Sequence, residues 1–108
     1  MSGPDQPAFR ALADPTRREI LRMLKMREMT IAEVAEPFDM TRAAVKKHLT
    51  VLAQGGMIRT RMQGREVFNI IDPEGFRPVA DWLTYFETFW DARLADLKAA
   101  IEEEEHTP

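Results

Sequence analysis

Hydrophobic residues recur at helical spacing over most of this 108-residue chain and switch to strict alternation in one stretch, residues 58–70. Pro7 to Ala13 presents Phe9 and Leu12 and predicts a short first helix. Asp14-Pro15 is a start signal, an N-cap carboxylate followed by the fixed φ of proline, and opens a second helix reaching about Met26. Ile20, Leu21 and Leu24 form its inward stripe, and Arg17, Arg18, Arg22 and Lys25 are expected on its wet side. Thr30 and Glu33 have the spacing of a capping box, so a third helix begins there with Ile31, Val34 and Phe38 as core contacts. Pro37 keeps it short, and Phe38 to Met40 form a tight turn into a fourth helix.

That fourth helix, Arg42 to Gln54, has clear ends. Thr41 is a good N-cap, and Gly55 is expected to take the left-handed conformation that closes a helix. Val45, Leu49 and Leu52 make a buried stripe, which puts Ala43, Lys46, Lys47 and Thr50 on the opposite side. A cationic outer face with a small residue near its start suits a DNA groove: lysines reach phosphates, and Ala43 lets the backbone approach. Taken alone, the pattern also fits an ordinary amphipathic surface helix. Its neighbours decide. Two short helices joined by a tight turn read as a helix-turn-helix, whose second member is offered to the major groove.

Past Gly56, Ile58 to Met62 and Glu66 to Ile70 alternate around Gln63-Gly64-Arg65, which is a hairpin signal. Ile58, Thr60 and Met62 would line one face, Arg59 and Arg61 the other, with Arg65 at the tip. Asp72-Pro73 repeats the start signal, and one long helix is expected from near Phe76 to about Glu104. Its main stripe is Val79, Leu83, Phe86, Trp90, Leu94, Leu97 and Ile101, widened by Trp82, Tyr85 and Phe89. An apolar arc that broad is covered on more than one side. A second subunit is the expected cover, joined by Phe9 and Leu12 of the first helix. Glu102 to Glu105 oppose the helix dipole and are expected to fray.

Composition narrows the classes. A chain that is 44% hydrophobic and 31% charged is a folded domain, and its length allows one domain with a modest core. Residues 7–71 would be the DNA-binding core and 74–104 the dimerisation helix, with 1–6 and 105–108 flexible. Without cysteine there is no disulfide framework and no thiolate metal site. No signal peptide or membrane span is legible, which predicts a cytoplasmic protein. Net charge is -3 overall, yet residues 41–70 carry six basic side chains against Glu66 alone. A polyanion responds to that local field more than to the total.

These residues together resemble the arsenical-resistance-repressor (ArsR) family of small bacterial transcription regulators. The resemblance rests on Leu12-Ala13-Asp14-Pro15-Thr16-Arg17-Arg18-Glu19-Ile20-Leu21, Ala43-Ala44-Val45-Lys46-Lys47-His48-Leu49, Leu52-Ala53-Gln54-Gly55-Gly56-Met57-Ile58 and the Gly64-Arg65 tip. It implies a mainly α winged helix-turn-helix with a β-hairpin wing, dimeric through its N- and C-terminal helices. It also implies a homodimer that sets two recognition helices into successive major grooves of an imperfect palindrome. Thr41, Arg42, Ala43, Lys46 and Lys47 would then lie in or over the groove. His48 matches a position where the family often has histidine, and it serves either as a structural residue flanking the core or as a phosphate donor. Metal-sensing relatives use cysteines in the helix before the turn, or Asp and His ligands on the last helix. Here residues 30–36 have no cysteine, Asp91 and Asp96 have no softer neighbour, and His106 lies at the chain end. The expectation is therefore the branch without metal sites and no cofactor.

The reading that follows is a sequence-specific repressor of double-stranded DNA, with Arg59, Arg61, Gln63 and Arg65 on backbone or minor groove. The competing reading is a winged-helix module that docks proteins through its acidic C-terminal helix. A small-molecule effector lodged among Trp82, Phe86, Phe89 or Trp90 is a further use of those aromatics, although plain interface packing accounts for them more simply. An enzyme has almost no support, since His48 has no Ser or Cys partner and no phosphate loop or paired metal motif is present.

Overall fold

The computed structural model describes residues 6–105. Its order is α1 (Gln6–Leu12), α2 (Pro15–Met26), α3 (Ile31–Ala35), α4 (Arg42–Gln54), β1 (Ile58–Gln63), β2 (Glu66–Ile71), a 3-10 turn (Pro73–Phe76), α5 (Arg77–Thr84) and α6 (Glu87–Glu105). Ile20, Val34, Val45, Leu52 and Met57 are fully buried, so α2, α3, α4 and the link to β1 share one core. Ala8 and Ala11 of α1 press against it. The chain ends expected to be flexible lie outside the described residues, apart from Gln6 and Glu105, which belong to α1 and α6. His106 lies outside them too.

The corner between α1 and α2 is built from side chains. The Arg17 amide donates to Asp14 Oδ2 at 3.0 Å, and Pro15 occupies the first turn of α2. Arg18 is exposed as its position on α2 predicts and Arg17 is half-buried, yet both are engaged with the end of α1. Arg17 Nε donates to the Ala11 carbonyl at 2.9 Å, Arg17 Nη2 to that of Arg10 at 2.9 Å, and Arg18 Nη1 to that of Leu12 at 2.7 Å. Those carbonyls end α1, and although the Ala13 amide also donates to that of Arg10 at 3.2 Å, it is the two cations that close the helix and oppose its negative pole. The next corner is the capping box: the Thr30 amide donates to Glu33 Oε1 at 3.0 Å, and the Glu33 amide to Thr30 Oγ1 at 3.3 Å. α3 stops at Ala35, because Pro37 has no N–H for the Glu33 carbonyl. The turn into α4 therefore spans residues 36–41, longer than the expected three or four.

At the end of α4 the left-handed residue is Gly56 (φ 75°), one position later than expected, while Gly55 stays helical at φ -76°. The Gly56 amide donates to Ala53 at 2.9 Å and the Met57 amide to Leu52 at 3.1 Å. This is the Schellman pattern, sealed by the buried Leu52 and Met57 side chains. β1 and β2 pair antiparallel from Ile58↔Ile71 to Gln63↔Glu66, so the connecting turn is only Gly64-Arg65. Gly64 supplies the positive φ (62°) that such a turn requires. On the far side of β2, Met29 and Asn69 exchange backbone bonds, and the buried Asn69 amide also donates to the Met29 carbonyl at 3.1 Å.

The expected single terminal helix is two. Tyr85 and Phe86 donate to Trp82 and Leu83 three residues back, at 3.2 and 3.0 Å, and α6 starts afresh at Glu87. Thr84 Oγ1 donates to the Ala80 carbonyl at 2.9 Å, a back-bond that bends helices, and Thr-Tyr-Phe is a weak helix-forming run. α6 then continues through Glu105, so the expected fraying of Glu102 to Glu105 is not observed. No helix among the described residues is long and apolar enough to cross a membrane.

Two outcomes test these local causes. Gly56→Ala forces a left-handed alanine, so the urea midpoint should fall by an amount equivalent to about 1–2 kcal/mol. The second concerns pH. Partial burial alone would raise the Asp14 carboxyl, but the Arg17 amide, the His48 and Arg17 charges and the Thr16 amide outweigh it and hold the group below its ordinary value. The Thr30 amide, and then Arg27, lower Glu33 in the same sense. A carboxylate depressed by folding stabilises above its unfolded pKa of about 4 and loses that contribution as pH falls through its folded value. Stability measured by urea unfolding should therefore drop below about pH 4, and Asp14→Ala should shallow that drop while costing about 1 kcal/mol at neutral pH.

Candidate nucleic-acid interface

α4 has one side locked and one side free. Val45, Leu49 and Leu52 are buried, which fixes the helix's rotation about its own axis. Thr41, Arg42, Ala43, Lys46, Lys47 and Thr50 are consequently exposed. Thr41 Oγ1 accepts from the Ala44 amide at 3.1 Å, so its hydroxyl already caps the helix. Ala43, Lys46, Lys47, Thr50 and Gln54 follow one another along a single strip of the helix surface. Thr50 lies on the strip as its helical spacing predicts, and Gln54 extends it beyond the residues the sequence singled out. The signal for Gln54 was the same spacing, but it carries no charge to draw attention.

The hairpin places its cations differently. Ile58, Thr60, Val67 and Asn69 face α4 across a groove that Lys46, Leu49, Thr50 and Ala53 complete. Alternation then sends Arg59 and Arg61 to the opposite face of the sheet, with Phe68 and Ile70, their cross-strand partners. The six cations of residues 41–65 therefore do not form one continuous surface. The α4 lysines and the strand arginines lie on different sides of the hairpin. Arg61 is also engaged: its Nε donates to Glu28 Oε2 at 3.0 Å, Nη2 donates to the same oxygen, and Nη1 donates to Gln63 Oε1 at 3.1 Å. Arg65 stands exposed at the tip.

His48 turns away from the exposed strip. Its Nδ1 lies 3.4 Å from Arg17 Nη1 and 3.9 Å from Asp14 Oδ2. Arg17 thereby joins the end of α1, the start of α2 and the middle of α4.

The terminal helices carry the other unusual surface. Every residue from Ala80 to Glu105 is exposed. Trp82 is 52% accessible, Tyr85 83%, Phe89 50% and Trp90 49%, with Phe86, Leu94, Leu97 and Ile101 beside them. Trp82 packs edge-on to Phe86 with ring centroids 5.2 Å apart, and Phe89 to Trp90 at 5.4 Å, so the rings form a preformed apolar ridge. Phe9 and Leu12 are half-buried, and Leu12 packs partly against its own core. Among the described residues no group of three or more His, Cys, Asp or Glu side chains is arranged to hold a metal ion.

Residues 12–61 match a helix-turn-helix domain family. The transcriptional repressor SdpR of Bacillus subtilis is 31% identical over 78 residues, which cover 72% of this chain and 87% of that one. A crystal structure of an ArsR family transcriptional regulator superposes with a TM-score of 0.70 at 41% identity, covering 79% of this chain and 93% of the other. The solution structure of a homodimeric winged helix-turn-helix DNA-binding domain from Mycobacterium bovis gives a TM-score of 0.60 at 25% identity, covering 82% and 79%. Helix order, hairpin wing and these similarities agree: the chain belongs to the ArsR family of helix-turn-helix transcriptional regulators.

Proposed function

We propose that this protein is a transcriptional repressor that binds an imperfect palindrome in double-stranded DNA as a homodimer, acts in the cytoplasm and needs no metal. The observation that carries the proposal is the outer strip of α4. There Arg42, Lys46 and Lys47 stand exposed beside Ala43, on a helix whose apolar side is fixed in the core. In this reading Thr41, Arg42 and Ala43 enter the major groove first, and Lys46 and Lys47 take phosphates on its walls. Gln63 and Arg65 at the hairpin tip reach the adjacent backbone or minor groove. Arg59, on the outer face of the sheet, adds to the field without direct contact, and His48 holds α4 in place through Arg17.

The apolar ridge supplies the dimer. A contiguous exposed surface of this kind marks an interaction site. A second copy covering Trp82, Tyr85, Phe86, Phe89, Trp90 and Leu97, with Phe9 and Leu12 at its margin, also supplies the second recognition helix that a palindrome requires. The ridge offers docking through apolar rings rather than through acidic side chains, which favours the dimer over an acidic docking surface. Those rings serve the subunit contact in this reading, with no effector among them.

A mobility shift on DNA upstream of the protein's own gene tests the proposal. If each subunit neutralises about three to five phosphates, log K should fall with log salt at a slope of about -5 to -9 per dimer. Lys47→Ala should flatten the slope by about 2 per dimer and weaken all sequences alike. No retarded species at low salt would contradict the proposal. Trp90→Glu should weaken the dimer about tenfold or more in sedimentation equilibrium, and a wild-type chain that sediments as a monomer would contradict the proposed assembly.

A further inference from the structure

Arg61 is the cation of the basic middle third whose guanidinium is most fully engaged within the protein. Two of its nitrogens donate to Glu28 Oε2 and the third to Gln63 Oε1. The plane also lies over the Phe68 ring, 5.2 Å from its centroid, and Phe68 is the cross-strand partner of Arg61. Glu28 precedes Met29, whose backbone is bonded to Asn69 on the outer edge of β2. The Glu28 carboxylate thus crosses β2 to reach β1. Among the described residues the hairpin gains no third strand beyond the single bridge at Met29, and a two-stranded hairpin standing alone is marginal in water. Among the described residues, no other ion pair joins the hairpin to the helical body.

We propose that Glu28 and Arg61 form a positioning pair that sets the angle of the wing, and that Arg61 is not itself a phosphate contact. The pair rests on the DNA-binding reading above for its purpose, which is to hold Gly64 and Arg65 at a fixed distance from α4. The Nε and Nη2 side of the guanidinium is occupied by Glu28, so a phosphate could take that fork only by displacing the carboxylate. The pair is half-exposed, so its effect on binding is moderate.

The two roles of Arg61 predict opposite signs for a change at Glu28. If the pair positions the wing, Glu28→Gln should weaken DNA binding about two- to tenfold with the salt slope unchanged. If Arg61 grips phosphate, freeing it from Glu28 should leave binding unchanged or strengthen it, which would overturn the proposal. Arg61→Ala should likewise weaken binding by a salt-independent factor, whereas a slope flatter by about 1.8 per dimer would overturn it. The exchanged pair, Glu28→Arg with Arg61→Glu, should recover affinity relative to Arg61→Glu alone; a merely additive loss would count against the pair. Hydrogen exchange in the free protein separates this idea from the DNA reading. Glu28→Gln should speed exchange of the amides in residues 60–68, and unchanged exchange would overturn the tie whether or not DNA binds. Faster exchange in a protein that retards no DNA would support the tie and overturn the DNA-binding reading instead.

Discussion

Burial of Val45, Leu49 and Leu52 is the constraint on which the rest depends. Three apolar side chains on one side of α4 fix its rotation, and a rotation of about 100° per residue then leaves no choice about where Lys46 and Lys47 point. The free face of α4 is thus a consequence of core packing. The remaining architecture serves to keep that helix fixed. Thr41 caps its start, the Schellman turn at Gly56 ends it, and Arg17 reaches its middle through His48 while closing α1. Charged donors spent on α1 carbonyls also explain why a run with Arg17 and Arg18 belongs to the framework and not to the polyanion surface.

Much of this was legible in the sequence because it is local. Asp14-Pro15, Thr30 with Glu33, and Thr41 each predict a helix start, and each cap is made by the expected side chain. The alternation of residues 58–70 gave the hairpin, and its parity put Arg59 and Arg61 on one face. What parity does not reveal is which face turns toward α4, since that depends on how the sheet seats on the core. Hence six cations close in sequence separate into an α4 strip, a wing tip and an outer sheet face. The partner of Arg61 lies 33 residues away, beyond the reach of any local pattern.

The terminal region shows the same division. Its apolar stripe was readable from steps of three and four, yet the break at Tyr85–Phe86 arises from a threonine back-bond and a run of poor helix formers within an otherwise unbroken pattern. The break leaves α5 near the 3-10 turn and sends α6 away from the core, which gives the described chain a length of 63 Å against a depth of 24 Å. Two helices that each expose a tryptophan are costly for a chain on its own, and a partner copy relieves that cost while setting two α4 strips in a fixed relation.

In the proposed complex α4 and the wing tip meet DNA while the outer sheet face and α6 do not. Amide chemical shifts recorded while a short duplex is titrated into the labelled protein test this most directly. The predicted result is a footprint over residues 41–50 and 63–65 with the α6 amides unmoved. Shifts concentrated on α6, or none on α4 at saturating duplex, would contradict it.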